Sequence, residues 1–132
     1  MSMIANILTA AKEIFTASNV IKDSRGDRRA RVIHYCKNAG NSVSDLAAAL
    51  RLKRLPGSEF VELRDSISRC SEVMTNIANI PSLAVLLDEL SAPDAEKKIH
   101  SEFNSSESKE GELKQLDEAS GLFRAAAKSA HD

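Results

Sequence analysis

The sequence predicts an all-α domain: an antiparallel, up-down four-helix-bundle-like core with one or two short extra helices, spanning residues 1–132 as one unit. Two observations carry this. First, four stretches repeat apolar or small residues at alternating steps of three and four: Ile4, Ile7, Ala11, Ile14, Ser18, Ile21; Val32, Cys36, Ala39, Val43, Leu46, Leu50; Phe60, Leu63, Ile67, Cys70, Met74, Ile77; and Leu113, Leu116, Ser120, Phe123, Ala127, Ala130. That spacing keeps one face of an α-helix apolar along its length, and four such faces in one small chain need one another for cover. Second, the apolar residues are mostly Ile, Leu, Val and Ala; there is no Trp, and Phe15, Tyr35, Phe60, Phe103 and Phe123 are the only aromatics. Such residues suit helix packing, and the chain lacks the aromatic platforms on which single-stranded nucleic acids stack.

The first helix is expected from about Ser2, a good N-cap, to Lys22, with Leu8 and Phe15 widening its apolar stripe. Asp23-Ser-Arg-Gly-Asp27 is a tight connection with Gly26 as breaker and Asp27 as cap, short enough to make the first two helices antiparallel neighbours. The second helix runs from about Arg28 to Leu55. Gly40 inside it costs roughly 1 kcal/mol against Ala unless its smallness admits another helix. Pro56-Gly57 ends it, and Ser58 caps a third helix reaching about Ala78. Pro81 opens a short helix, Ser82 to Leu90, apolar nearly all round and expected to be buried on two sides. A further helix follows Asp94, presenting only Ile99 and Phe103, and residues 103–111 read as an exposed loop. The last helix spans about Glu112 to Ala130, with acids first and bases last, as the helix dipole prefers. Ile7, Ile14, Cys36, Val43, Leu50, Leu63, Ile67, Cys70, Met74, Leu116 and Phe123 are the expected core.

Motifs for catalysis or cofactors are missing. No Glu-x-x-His, CxxC, HExxH, GxSxG or Gly-rich phosphate loop occurs. The expectation is therefore no catalytic residues, no metal ligands, no cofactor and no enzyme activity. Cys36 and Cys70 lie on core stripes, where a free Cys acts as a small apolar residue. His34, His100 and His131 are scattered. Arg25-Gly26-Asp27 reads as a turn, and the sequon at Asn104 as silent in the cytosol. The N-terminus lacks a basic signal region, no run reaches the roughly 20 apolar residues that span a bilayer, and the chain reads as cytoplasmic.

Charge is unevenly placed. Residues 1–80 hold 12 Lys/Arg and 8 Asp/Glu, a net +4, whereas 81–132 hold 6 and 11, a net −5. The basic residues gather at Lys22, Arg25, Arg28, Arg29 and Arg31, and again at Arg51, Lys53 and Arg54. The first cluster is the candidate binding site, for an anionic phospholipid surface near which each cation contributes about 1 kcal/mol. Asp23 and Asp27 lie among these residues, so a solvated, self-paired charge run is the competing reading. No motif makes it a specific nucleic-acid site.

The order of these features resembles a family of cell-death helical bundles. That family includes the N-terminal domain of the mixed-lineage-kinase-like pseudokinase, the fungal HeLo and HeLo-like domains, and the N-terminal bundles of some plant immune receptors. The likeness covers about residues 2–90: a first helix from Ile4 to Ile21, a short basic link, a helix with Cys36, Val43, Leu46 and Leu50, a Pro-Gly break, a helix opening at Phe60-Val-Glu-Leu63 and carrying Cys70, then the apolar segment Leu83 to Leu90. The resemblance implies a regulated module that oligomerises or permeabilises membranes, with Arg25, Arg28, Arg29 and Arg31 at the positions that would meet anionic head groups. A protein-protein interaction bundle, acting as adaptor or scaffold, is the alternative.

Overall fold

The computed structural model describes residues 2–132, and these form seven helices and no strand. They are α1 (Met3–Thr16), α2 (Ser18–Lys22), α3 (Gly26–Arg51), α4 (Gly57–Met74), α5 (Pro81–Ser91), α6 (Ala95–Ser105) and α7 (Lys109–His131). Every residue expected in the core is buried, from Ile7 to Phe123, none more than 1 % exposed.

Ser2 caps α1 as expected, its Oγ accepting from the Ala5 N–H at 3.0 Å. The single first helix is, however, two. At Ala17 the backbone turns (φ −85°, ψ 2°) and its N–H is shared between the Glu13 and Ile14 carbonyls. Beyond the turn Ser18 is buried, its hydroxyl 2.9 Å from that of Ser129. Phe15 does not widen the buried stripe: it is 40 % exposed.

The α3 helix starts two residues earlier than its charge pattern suggests. Arg25, in extended backbone, is the N-cap residue; Gly26 is inside the helix and Asp27 in its first turn. The helix then runs unbroken for 26 residues, about 39 Å. It stops at Arg51 rather than Leu55, before Pro56-Gly57. Lys53 takes the left-handed conformation (φ 59°), its N–H bonds to the Leu50 carbonyl and the Arg54 N–H reaches back to Ala49. This reversal satisfies orphan carbonyls without a glycine, and it leaves Leu52 and Leu55 exposed.

Pro56 rather than Ser58 is the N-cap residue of α4, which ends at Met74, short of Ala78. Pro81 occupies the first turn of α5. That helix buries Leu83, Leu86 and Leu90 between α1 and α4 and leaves Val85 exposed. The expected loop at 103–111 is mostly helix. Phe103 is buried 2 % exposed in α6, which continues to Ser105, and α7 already begins at Lys109 with the Ser108 hydroxyl accepting from Gly111 N–H at 3.1 Å.

The packing order departs from an up-down sequence. α7 lies along both α1 and α3. It runs parallel to α1, since Lys12 reaches Glu118 and, one to two turns on, Ser18 meets Ser129. It runs antiparallel to α3, where Asn41 meets Arg124 and Arg51 meets Asp117. α4 returns along α3, and α5 returns along α1, with Asn6 bonded to Glu89 and Ser82 to Glu13. The circuit round the core is therefore α1, α7, α3, α4, α5. α6 closes the end where α1 begins, Glu102 accepting from the Met3 N–H at 3.0 Å. The expectation that α1 and α3 are neighbours fails: α7 fills the slot between them, and α2 continues along α7 beyond Ala17. Small residues on α7, Ala119, Ser120, Ala126, Ala127 and Ala130, line that slot. Gly40 supplies the closest approach on α3. A Cβ there would stand 3.0 Å from the Ser120 carbonyl oxygen and 2.9 Å from Arg124 Cγ, and the buried Ser120 hydroxyl donates to the Gly40 carbonyl at 2.8 Å.

Candidate functional site

The five cations singled out in the sequence come together at the α2–α3 corner. Lys22 ends α2, Arg25 caps α3, and Arg28, Arg29 and Arg31 lie in the first two turns of α3. Lys22, Arg25, Arg28 and Arg31 are exposed and Arg29 is half-buried, its Nη1 donating to the Lys22 carbonyl at 3.4 Å. Among the described residues none of the five has a carboxylate oxygen within 4.0 Å, although Asp23 and Asp27 sit between them in sequence. Three of the five occupy the first turns of α3, at the positive pole of the helix dipole, where acids and not bases are favoured. Helix stability does not account for them. Val20, one turn before the corner, is 50 % exposed, and Phe15 is 40 % exposed in the last turn of α1.

The second basic cluster differs. Arg54 meets Glu59 at 2.6 Å and Arg51 approaches Asp117 at 4.0 Å. The hydrogen bond to Arg54 is the main reason the Glu59 carboxyl titrates below its usual range. Lys12 and Arg69 are likewise paired, with Glu118 at 3.9 Å and Asp65 at 3.2 Å.

A third basic region was not singled out in the sequence. Lys37 and Asn41 on α3, with Arg124, Lys128 and His131 on α7, line an open groove of about 400 Å³ floored by Ala127. The only trace in the sequence is that each set recurs at helical spacing on the flank of an apolar stripe. Since 83 residues separate Asn41 from Arg124, nothing local brings them together.

Cys36 and Cys70 are free thiols, both buried where α3 meets α4. The neighbouring Cys70 thiol, and then burial, push the Cys36 thiol well above its ordinary range. Its reactive thiolate is therefore suppressed. Among the described residues no three His, Cys, Asp or Glu side chains converge as metal ligands, and no helix is long and apolar enough to cross a membrane.

No family model matches this chain, and no curated protein or solved structure compared with it does either.

Proposed function

We propose that this protein is a non-enzymatic module that docks on anionic phospholipid membrane through the α2–α3 corner and acts there by self-association. The observation that carries the reading is the uncompensated charge at that corner: five cations with no carboxylate partner among the described residues, three of them placed against the dipole of α3. The exposed Val20 and Phe15 beside them supply apolar contacts that complement electrostatic attraction at a lipid interface. The mode of attachment is peripheral, and the module is cytoplasmic until recruited. The resemblance to HeLo and mixed-lineage-kinase-like bundles supports a role in regulated cell death or immunity. On that reading α1, α3, α4 and α7 are the four-helix-bundle-like unit, closed between α1 and α4 by α5, with α6 as a brace.

The test is vesicle co-sedimentation with dye release, using phosphatidylserine-containing and neutral vesicles at low and high salt. Binding and leakage are expected only with anionic vesicles and fall as salt rises. The variant carrying Arg25→Glu, Arg28→Glu, Arg29→Glu and Arg31→Glu should lose both while keeping its helical circular dichroism. Binding by that variant, or equal binding to neutral vesicles, refutes the proposal.

A second reading, an adaptor or scaffold bundle with no membrane role, is favoured by the opposite end of α3. There Leu52 is 74 % and Leu55 44 % exposed. Salt-insensitive capture of one protein partner, lost in Leu52→Asp, would select it.

A further inference from the structure

The groove between α3 and α7 is not part of the corner that the lipid reading uses, and its charge is not balanced either. We propose that it binds a compact phosphate oxyanion carrying more than one negative charge. Arg124 is the centre of the site. Its Nε and Nη2 donate to the Asn41 carboxamide oxygen at 3.2 and 2.9 Å, which fixes the guanidinium plane without neutralising it. Three of its five N–H donors stay free for a ligand. Gly40 makes this placement possible, because Arg124 Cγ lies only 2.9 Å from where a Cβ would be.

Lys37 faces Arg124 across the groove, and Lys128 and His131 continue its wall along the last two turns of α7. Attraction to the α7 C-terminal carbonyls accounts for Lys128 and His131 alone; it accounts for neither Lys37 on the other helix nor the anchored Arg124. Lys37, Arg124 and Lys128, like most basic residues of the chain, have no carboxylate within 4.0 Å among the described residues; what sets them apart is that they line one groove. The one acid in contact with the set is Asp132, whose Oδ1 lies 3.5 Å from His131 Nδ1.

A planar guanidinium held by Asn41, in a groove also lined by Lys37 and Lys128, matches a tetrahedral phosphate that accepts two hydrogen bonds from Arg and charge from Lys. Ala127 offers an apolar floor and no further donors, so the ligand is recognised by its charge. Pyrophosphate and a phosphomonoester head group share this chemistry.

The experiment is a titration of the whole chain with pyrophosphate at constant ionic strength, followed by amide NMR, alongside sedimentation with phosphatidic-acid vesicles. Saturable shifts clustered at Lys37, Asn41 and residues 124–131 are expected. Arg124→Gln and Lys37→Gln should each weaken binding about tenfold, the value of a charge-assisted hydrogen bond. Phosphatidylserine binding by the α2–α3 corner should be unchanged in both. Binding of free pyrophosphate identifies a soluble ligand; groove-dependent binding to phosphatidic acid alone identifies a lipid one. If neither probe binds saturably, or if both variants bind as well as the parent, the proposal is wrong. Because the corner variant leaves the groove intact, loss of phosphatidylserine binding and loss of pyrophosphate binding fail separately.

Discussion

The two ends of α3 carry similar basic runs in the sequence and opposite electrostatics in the fold. At the C-terminal end, Arg51 and Arg54 are met by Asp117 from α7 and Glu59 from α4. At the N-terminal end, five cations share a corner with no carboxylate within 4.0 Å among the described residues. The difference comes from which elements arrive at each end. α7 brings its acidic first half beside Arg51 and its basic last turns, with Lys128 and His131, to the end that holds the corner. A run of basic residues thus becomes a charged surface only where the packing fails to deliver acids to it.

That delivery depends on the α3–α7 seam, so the strongest way to break the contrast is to damage the seam. Phe123, fully buried beside Gly40, should cost about 3–5 kcal/mol when replaced by Ala. Urea unfolding measures this loss, a large part of the stability expected of a small domain. Gly40→Leu comes next. Its side chain must displace the Ser120 backbone as well as Arg124, and a loss of about 2–3 kcal/mol is expected by the same measurement. An unchanged unfolding midpoint in Gly40→Leu would show that α3 and α7 do not approach as described.

Smaller effects sharpen the comparison without disturbing the core. Replacing Glu59 and Asp117 together by Gln and Asn removes the acids from the second cluster. Vesicle sedimentation should then show a severalfold gain in binding to phosphatidylserine, made by the end that was previously neutralised. No gain would mean that lipid attraction needs more than free cations. The smallest effect is on pH dependence. Glu59 is held below its ordinary carboxylate range by Arg54, so the pair's contribution to stability is complete above that range. It is lost as pH falls through the lowered value in the folded protein. Comparing parent and Glu59→Gln by thermal melts from neutral to strongly acidic pH should show a small parent advantage that vanishes at the acid end, and that high salt reduces throughout.

Much of the fold was legible because helix periodicity is local. The stripes of Ile4 to Ile21 and Leu113 to Ala130 identified buried faces before any partner was known. The misreadings have local causes too. Charged residues hid the helical character of Lys109 to Gly111, and a left-handed Lys53 ended α3 where a Pro-Gly pair promised a later stop. Of the candidate site, the five cations at the corner could be found as a cluster, but their lack of partners could not. The groove of Lys37, Asn41, Arg124 and Lys128 was out of reach altogether.

Helical character, the buried faces of the long helices and the uneven charge were readable from the residues alone. Those properties follow from side chains three and four positions apart and from composition. Packing between distant segments, in contrast, places α7 between α1 and α3, neutralises Arg51 and Arg54 but not Arg25 and Arg28, and sets Arg124 against Gly40. Each of those outcomes joins residues from different helices. What decides them is steric: small residues on α7 and Gly40 on α3 let the last helix lie between α1 and α3.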